Sequence, residues 1–217
     1  MDNKLIYNKI TTSATATDID EHKETNFIYK FIKRFFDIIC SIIGIIILSP
    51  IFIIVSILIK LESKGPIIFK QVRAGKNSKP FYIYKFRSMK TEAPNIATND
   101  FTDSHVYITK IGKVIRKTSI DELPQLFNIL KGDMSIVGPR PVILEEVDLI
   151  DLRQSYNIDT ILPGITGWAQ INGRDNIGNE EKVKYDYEYL VKKNFFMDLY
   201  IIMMTVLKVF KRSDIKD

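Results

Sequence analysis

The chain has 217 residues, a net charge of +5, a pI near 9.1 and 46% hydrophobic residues, which makes one domain with an appendage and a real core. A basic, fairly apolar chain favours polyanions or an anionic membrane surface over small neutral ligands. A single cysteine, Cys40, excludes an internal disulfide, and with only His22 and His105 beside it a zinc site of His/Cys type is excluded too.

Residues 1–26 are rich in Thr, Ser, Asp and Lys without an apolar period, and read as a flexible or weakly docked N-terminal extension. Phe35 to Ile59 is a run of about 25 residues interrupted by Asp37, small polar groups and Pro50. As one helix it would be roughly 37 Å long, enough to cross a bilayer. Lys30, Lys33 and Arg34 precede the run, and Lys60, Lys64, Lys70 and Arg73 follow it. Positive charge at both ends suits two cytoplasmic ends. Ser49-Pro50 supplies a break, because proline deletes one backbone bond and a serine hydroxyl can satisfy the freed carbonyl. A re-entrant helix–break–helix and an ordinary kinked span are both compatible with these residues.

Pro66–Val72 and Phe81–Phe86 flank the turn-rich Ala74–Ser78 and predict a β-hairpin, closed by Lys85, Arg87, Ser88 and Met89. Its charges suit a solubilised edge strand as well as a site. Thr91–Thr109 reads as a polar loop, and Lys110–Arg116 as a short helix or turn.

The most informative stretch runs from Arg116 to Pro141. Leu123, Leu126, Phe127 and Leu130 recur at helical spacing, so Ile120–Lys131 predicts a short amphipathic helix closed by Gly132. Ser119-Ile120-Asp121-Glu122 fits a capping box, which gives the two carboxylates a purely structural use. Pro124 suits a start one residue later. The functional alternative is a carboxylate held ionised at a helix N-terminus. Such an Asp121 can attack phosphorus or bind a hard cation such as Mg²⁺. Arg116 and Arg140, the latter fixed between Pro139 and Pro141, can grip phosphate oxygens with two-pronged hydrogen bonds.

Glu145–Tyr156 is helical in character, and Leu162–Arg174 reads as a glycine-punctuated loop carrying Trp168, assigned to core packing or interface anchoring. Arg174 is either a phosphate or sugar contact or a surface arginine in a turn. Glu180–Lys193 predicts a charged helix. Phe195–Phe210 predicts an apolar one with basic residues at its end, suited to the membrane interface or to closing the core.

The strings TSIDELPQLFNILKGDMSIVGPRP and PGITGWAQINGR resemble the small monotopic phosphoglycosyl transferases among the bacterial sugar transferases, and the likeness runs from about Phe31 to Arg212. The resemblance implies an α+β, mainly helical protein. A re-entrant membrane helix (27–64, broken at Ser49-Pro50) would lead into a cytoplasmic catalytic domain (65–217) with a small β-hairpin and interfacial amphipathic helices. It implies transfer of a sugar 1-phosphate from a UDP-sugar to undecaprenyl phosphate at the cytoplasmic face of a bacterial inner membrane. Asp121 would be the nucleophile and Mg²⁺ ligand, Glu122 its support, and Arg116, Arg140, Lys85 and Arg174 the phosphate-binding set. Few N-terminal spans and Ile171-Asn172-Gly173-Arg174 point toward an N-acetylated amino or deoxyamino sugar. Membrane lipid is an implied partner, nucleic acid is not, and a homo-oligomer is left open. A non-catalytic adaptor on anionic lipid is the rival reading; it leaves the Asp121-Glu122 pair and the Gly138-Pro139-Arg140-Pro141 turn without a purpose.

Overall fold

A computed structural model describes residues 26–93, 107–173 and 177–211. Nearly all of the predicted N-terminal extension, most of the Thr91–Thr109 loop and Arg174 therefore lie outside the described residues.

Helix α1 spans Asn26–Glu62 and contains Pro50. It runs as one helix through the proline. Ser49 Oγ donates to Ile46 O at 2.8 Å, the carbonyl that Pro50 has no N–H to reach. One face of α1 is anything but lipid-like. Tyr29, Lys33, Arg34, Asp37, Ser41 and Gly44 recur every three or four residues, and the same face continues as Phe52, Val55, Ile59 and Glu62. This face docks on the rest of the chain. Lys33 and Tyr29 both donate to Asp198, Asp37 accepts from Ile136 N at 3.0 Å, and Glu62 accepts from the N–H groups of Lys110 and Ile111 at 2.6 and 3.0 Å. The opposite face leaves Phe31, Ile46, Ile47, Ile53, Ile54 and Leu61 in the open.

Strands β1 (Ile68–Ala74) and β2 (Pro80–Phe86) form the predicted antiparallel hairpin, with Ile68 opposite Phe86 and Ala74 opposite Pro80. Phe86 of β2 enters a core with Val55, Ile59 and Ile115, and Ile83 enters a second core with Ile129 and Met134. Helix α2 (Lys110–Lys117) is capped by Thr109, whose side chain accepts from Gly112 N. A single 3₁₀ turn, Ile120–Glu122, then leads to helix α3 (Gln125–Lys131).

The predicted Ile120–Lys131 helix is thus shorter than its periodicity suggests, and the capping box does not form. Ser119 sits at φ 56°, ψ 16°, with no side-chain cap bond, in place of the extended backbone an N-cap residue adopts. Pro124 instead occupies the position before Gln125, where its missing N–H costs nothing. At the far end Gly132 closes α3 in the left-handed region (φ 91°). Arg34 of α1 donates to the last-turn carbonyls of Ile129 and Leu130 at 2.6 and 3.0 Å, the first of which also accepts from Gly132 N.

Strand β3 (Ser135–Val137) pairs in parallel with β4 (Gly164–Thr166). Helix α4 (Val147–Ser155) lies between them in the chain, and helix α5 (Trp168–Asn172) follows β4 directly. The glycine-punctuated loop is therefore a strand and a helix. Gly164 has no Cβ because one there would collide with the Gly138 backbone, and that close approach is what permits the pairing. Helix α4 and helix α6 (Asn179–Lys192) pack around Leu149, Ile158 and Val183. Helix α7 (Phe195–Lys211) buries Asp198 and Ile201 and exposes Phe196, Met203, Val206 and Leu207.

Candidate active site

Three elements converge on the carboxylate pair. After α2 the chain reverses at Ser119, a positive-φ position outside glycine. This sends Ile120 into the core beside Ile115 and Phe86 and leaves Asp121 and Glu122 half-buried beside β2. Because strand residues alternate, Lys85 points the opposite way from its buried neighbour Phe86. It meets Glu122, with Nζ 2.7 Å from Oε1. Arg140 brings Nη2 to 3.6 Å from the same oxygen. Glu122 is the hinge of a cationic clamp.

Asp121 behaves differently. Its carboxyl is pushed up to about 6, chiefly by burial; Lys85 and Arg116 pull the value down and Glu122 pushes it further up. A carboxylate held strongly ionised by a helix dipole is not what the fold provides. The turn carrying Asp121 is only three residues long and ends before α3 begins, so too few peptide dipoles align with it to outweigh desolvation. Asp121 is still ionised at neutral pH, but in surroundings that penalise its charge.

Arg140 is held by its backbone. Gly164 N donates to Pro139 O and Gly138 N to Thr166 O, each at 2.9 Å, which locks the turn to β4. Arg153 then donates from Nη1 to Arg140 O at 2.8 Å, while its Nε and Nη2 grip Asp186 at 3.1 and 2.6 Å. Arg153 and Asp186 are both buried, and burial raises the Asp186 carboxyl while Arg153 lowers it. A buried, doubly bonded pair of this kind fixes geometry more than it adds net stability.

A further arginine was not singled out from the sequence as a site residue. Arg73 of β1 stands near Arg140, and its guanidinium is lowered to about 10, first by burial and next by the Arg140 charge. Nη2 donates to Gln71 at 2.6 Å, and the buried Nε has no partner among the described residues. The signal was available in the hairpin register. Phe69 lies opposite Lys85, so Phe69, Gln71 and Arg73 share the face that carries Lys85. Of the other predicted positions, Arg87 turns instead to the link after α1, bonding Ser63 and Lys64. Trp168 donates to Glu188 at 2.8 Å and packs near Tyr200. Ser49 and Pro50 lie in α1.

The family model for bacterial sugar transferases matches residues 28–212, which includes all of these side chains. The chain belongs to the bacterial sugar transferase family. This sugar transferase is 44% identical over 178 residues to EpsL of Bacillus subtilis strain 168, an uncharacterized sugar transferase, covering 82% of this chain and 87% of that one. It is 42% identical to the UDP-N-acetylgalactosamine-undecaprenyl-phosphate N-acetylgalactosaminephosphotransferase of Aeromonas hydrophila, over 82% of this chain and 44% of that protein. It is 39% identical to the UDP-glucose:undecaprenyl-phosphate glucose-1-phosphate transferase of Escherichia coli K12, over 83% and 40% respectively. The transferase thus spans most of EpsL and less than half of the two relatives named for a nucleotide sugar. Membership makes it an enzyme, and the adaptor reading falls away.

Proposed function

We propose that this transferase moves a sugar 1-phosphate from a UDP-sugar to undecaprenyl phosphate in two displacements at Asp121. The observation that carries the reading is the division of labour between adjacent carboxylates. Glu122 is engaged by Lys85 and Arg140. Asp121 is left as the carboxylate whose charge burial disfavours, and such a group is suited to attack. Both relatives named for a nucleotide sugar carry out the same class of transfer by name.

In the first displacement an Asp121 carboxylate oxygen bonds to the β-phosphorus. The bond from that phosphorus to the bridging oxygen breaks, and UMP leaves with the electron pair. In the second, a phosphate oxygen of the lipid acceptor bonds to the same phosphorus, and Asp121 leaves as a carboxylate. Splitting the transfer means the two bulky phosphates never have to be brought into line at once. Lys85, Arg140, Arg116 and Arg73 supply fixed positive charge to the diphosphate oxygens. Glu122 keeps the first two in place, and Arg174, outside the described residues, belongs to the same proposed set.

Among the described residues no group of three or more His, Cys, Asp or Glu side chains is placed to hold a metal. Mg²⁺ needs only one or two carboxylates when substrate phosphates complete its shell, and Asp121 fits that requirement. Bound there it would supply neutralisation of charge on the leaving phosphate.

In this reading α1 lies in one leaflet with both ends cytoplasmic. What supports this is that its first turns are tied to Asp198 and its last residue to the start of α2, both on the same body. The N-acetylated amino or deoxyamino sugar rests on the string Ile171-Asn172-Gly173-Arg174, whose last residue lies outside the described residues, with one relative named for such a sugar and another for glucose. The deciding experiment mixes enzyme and donor without acceptor and weighs the intact protein, across a panel of UDP-sugars. With the correct donor, one sugar phosphate should appear on Asp121 and UMP should be released in equal amount. A competent preparation that never carries the adduct would sink the covalent route.

A further inference from the structure

On the other face of the hairpin lies an open groove of about 550 Å³ lined by Ile68, Lys70, Tyr84, Phe127, Leu130 and Lys131. It is separate from the catalytic cluster, because Lys70 and Tyr84 are directly opposed in the register and alternate with Phe69 and Lys85. Its walls are apolar. Its polar rim is two ammonium groups gathered on one ring: Lys70 lies 5.7 Å and Lys131 5.0 Å from the Tyr84 centroid. Lys131 also donates to Tyr84 Oη at 2.7 Å. Among the described residues the one carboxylate paired with either lysine is Asp133, 4.0 Å from Lys131. Two like charges beside an apolar trough suit an anion with a hydrocarbon tail.

The trough is continuous with α1. Phe127, 42% exposed, stands edge-on to Phe52 of α1 at 5.9 Å, and Ile68 packs on the cluster containing Val55 and Ile59. The groove therefore adjoins the seam where the docked face of α1 meets α3.

We propose that the groove seats one anionic phospholipid of the surrounding bilayer. Its phosphodiester lies between Lys70 and Lys131, and an acyl chain runs along Ile68, Phe127 and Leu130. The proposal rests on the membrane placement of α1 but not on the covalent chemistry. Because α3 supplies Phe127, Leu130 and Lys131, the bound lipid braces the helix that follows directly on Asp121-Glu122.

The test uses the full chain in detergent with equal phosphatidylglycerol and phosphatidylcholine, and native mass spectrometry to count retained lipid. Wild type should keep one phosphatidylglycerol with a preference of about tenfold or more, from two lysines near one headgroup. Lys70→Gln with Lys131→Gln should bring the preference close to parity, whereas Lys70→Arg with Lys131→Arg should keep it. Lys76→Gln with Lys79→Gln, which removes the same charge at the opposite end of the hairpin, should also keep it. Three outcomes overturn the proposal. These are equal retention of the two lipids by wild type, equal loss in the Lys76/Lys79 variant, or displacement of phosphatidylglycerol by equimolar undecaprenyl phosphate, which would make the groove an acceptor site. Vesicle flotation of wild type, read separately, reports failure of the membrane placement itself.

Discussion

Asp121→Asn should make the enzyme inactive and more stable at once. The Asp121 carboxyl is raised from 3.8 to about 6 in the fold, with burial the largest cause. A carboxylate whose native value is raised binds its proton more tightly folded than unfolded, so its contribution to stability is present at low pH and is lost as pH rises from about 4 to 6. A shift of roughly two units corresponds to ~3 kcal/mol against the ionised native form at pH 8. Asparagine has nearly the same shape and no charge to desolvate, so it removes that penalty. Thermal unfolding of wild type and variant should therefore separate by ~1–3 kcal/mol at pH 8, several degrees for a chain of this size. The gap should shrink below about 1 kcal/mol near pH 4, where the native carboxyl is already protonated. UMP release and the covalent adduct should both vanish. An Asn variant less stable than wild type at pH 8, or one whose advantage persists unchanged at pH 4, would refute the claim that burial dominates this site.

Lys85 is the largest influence lowering the Asp121 value. Lys85→Ala should therefore move the acidic limb of the kcat/KM profile to higher pH, and an unmoved limb would separate Lys85 from the nucleophile. Arg153→Ala strands Asp186, which is 1% exposed, and should cost about 3–5 kcal/mol; adding Asp186→Asn should recover part of the loss in a denaturant-unfolding cycle. Glu62→Ala removes the cap that α1 places on α2 and should cost about 1 kcal/mol, read as a lower melting temperature with the membrane-bound fraction unchanged. Omitting divalent metal should stop UMP release, and full turnover in EDTA would remove Mg²⁺ from the reaction.

What the sequence determined by itself was whatever depends on local pattern. Short β-prone runs around a turn cluster marked the hairpin, apolar runs marked α1 and α7, and the Asp121-Glu122 and Gly138-Pro139-Arg140-Pro141 strings marked the family. Tertiary structure alone decided the rest, because it turns on groups far apart in the chain. The capping box was legible as a pattern but lost to a left-handed Ser119, whose conformation serves the burial of Ile120. The pairing of β3 with β4 was hidden in two three-residue strands with helix α4 between them in the chain, each too short to show a period. The sign of the shift at Asp121 is the clearest case. Neighbouring residues in sequence suggested dipole stabilisation, whereas in the fold burial of one carboxylate outweighs the pull of the Lys85 and Arg116 charges.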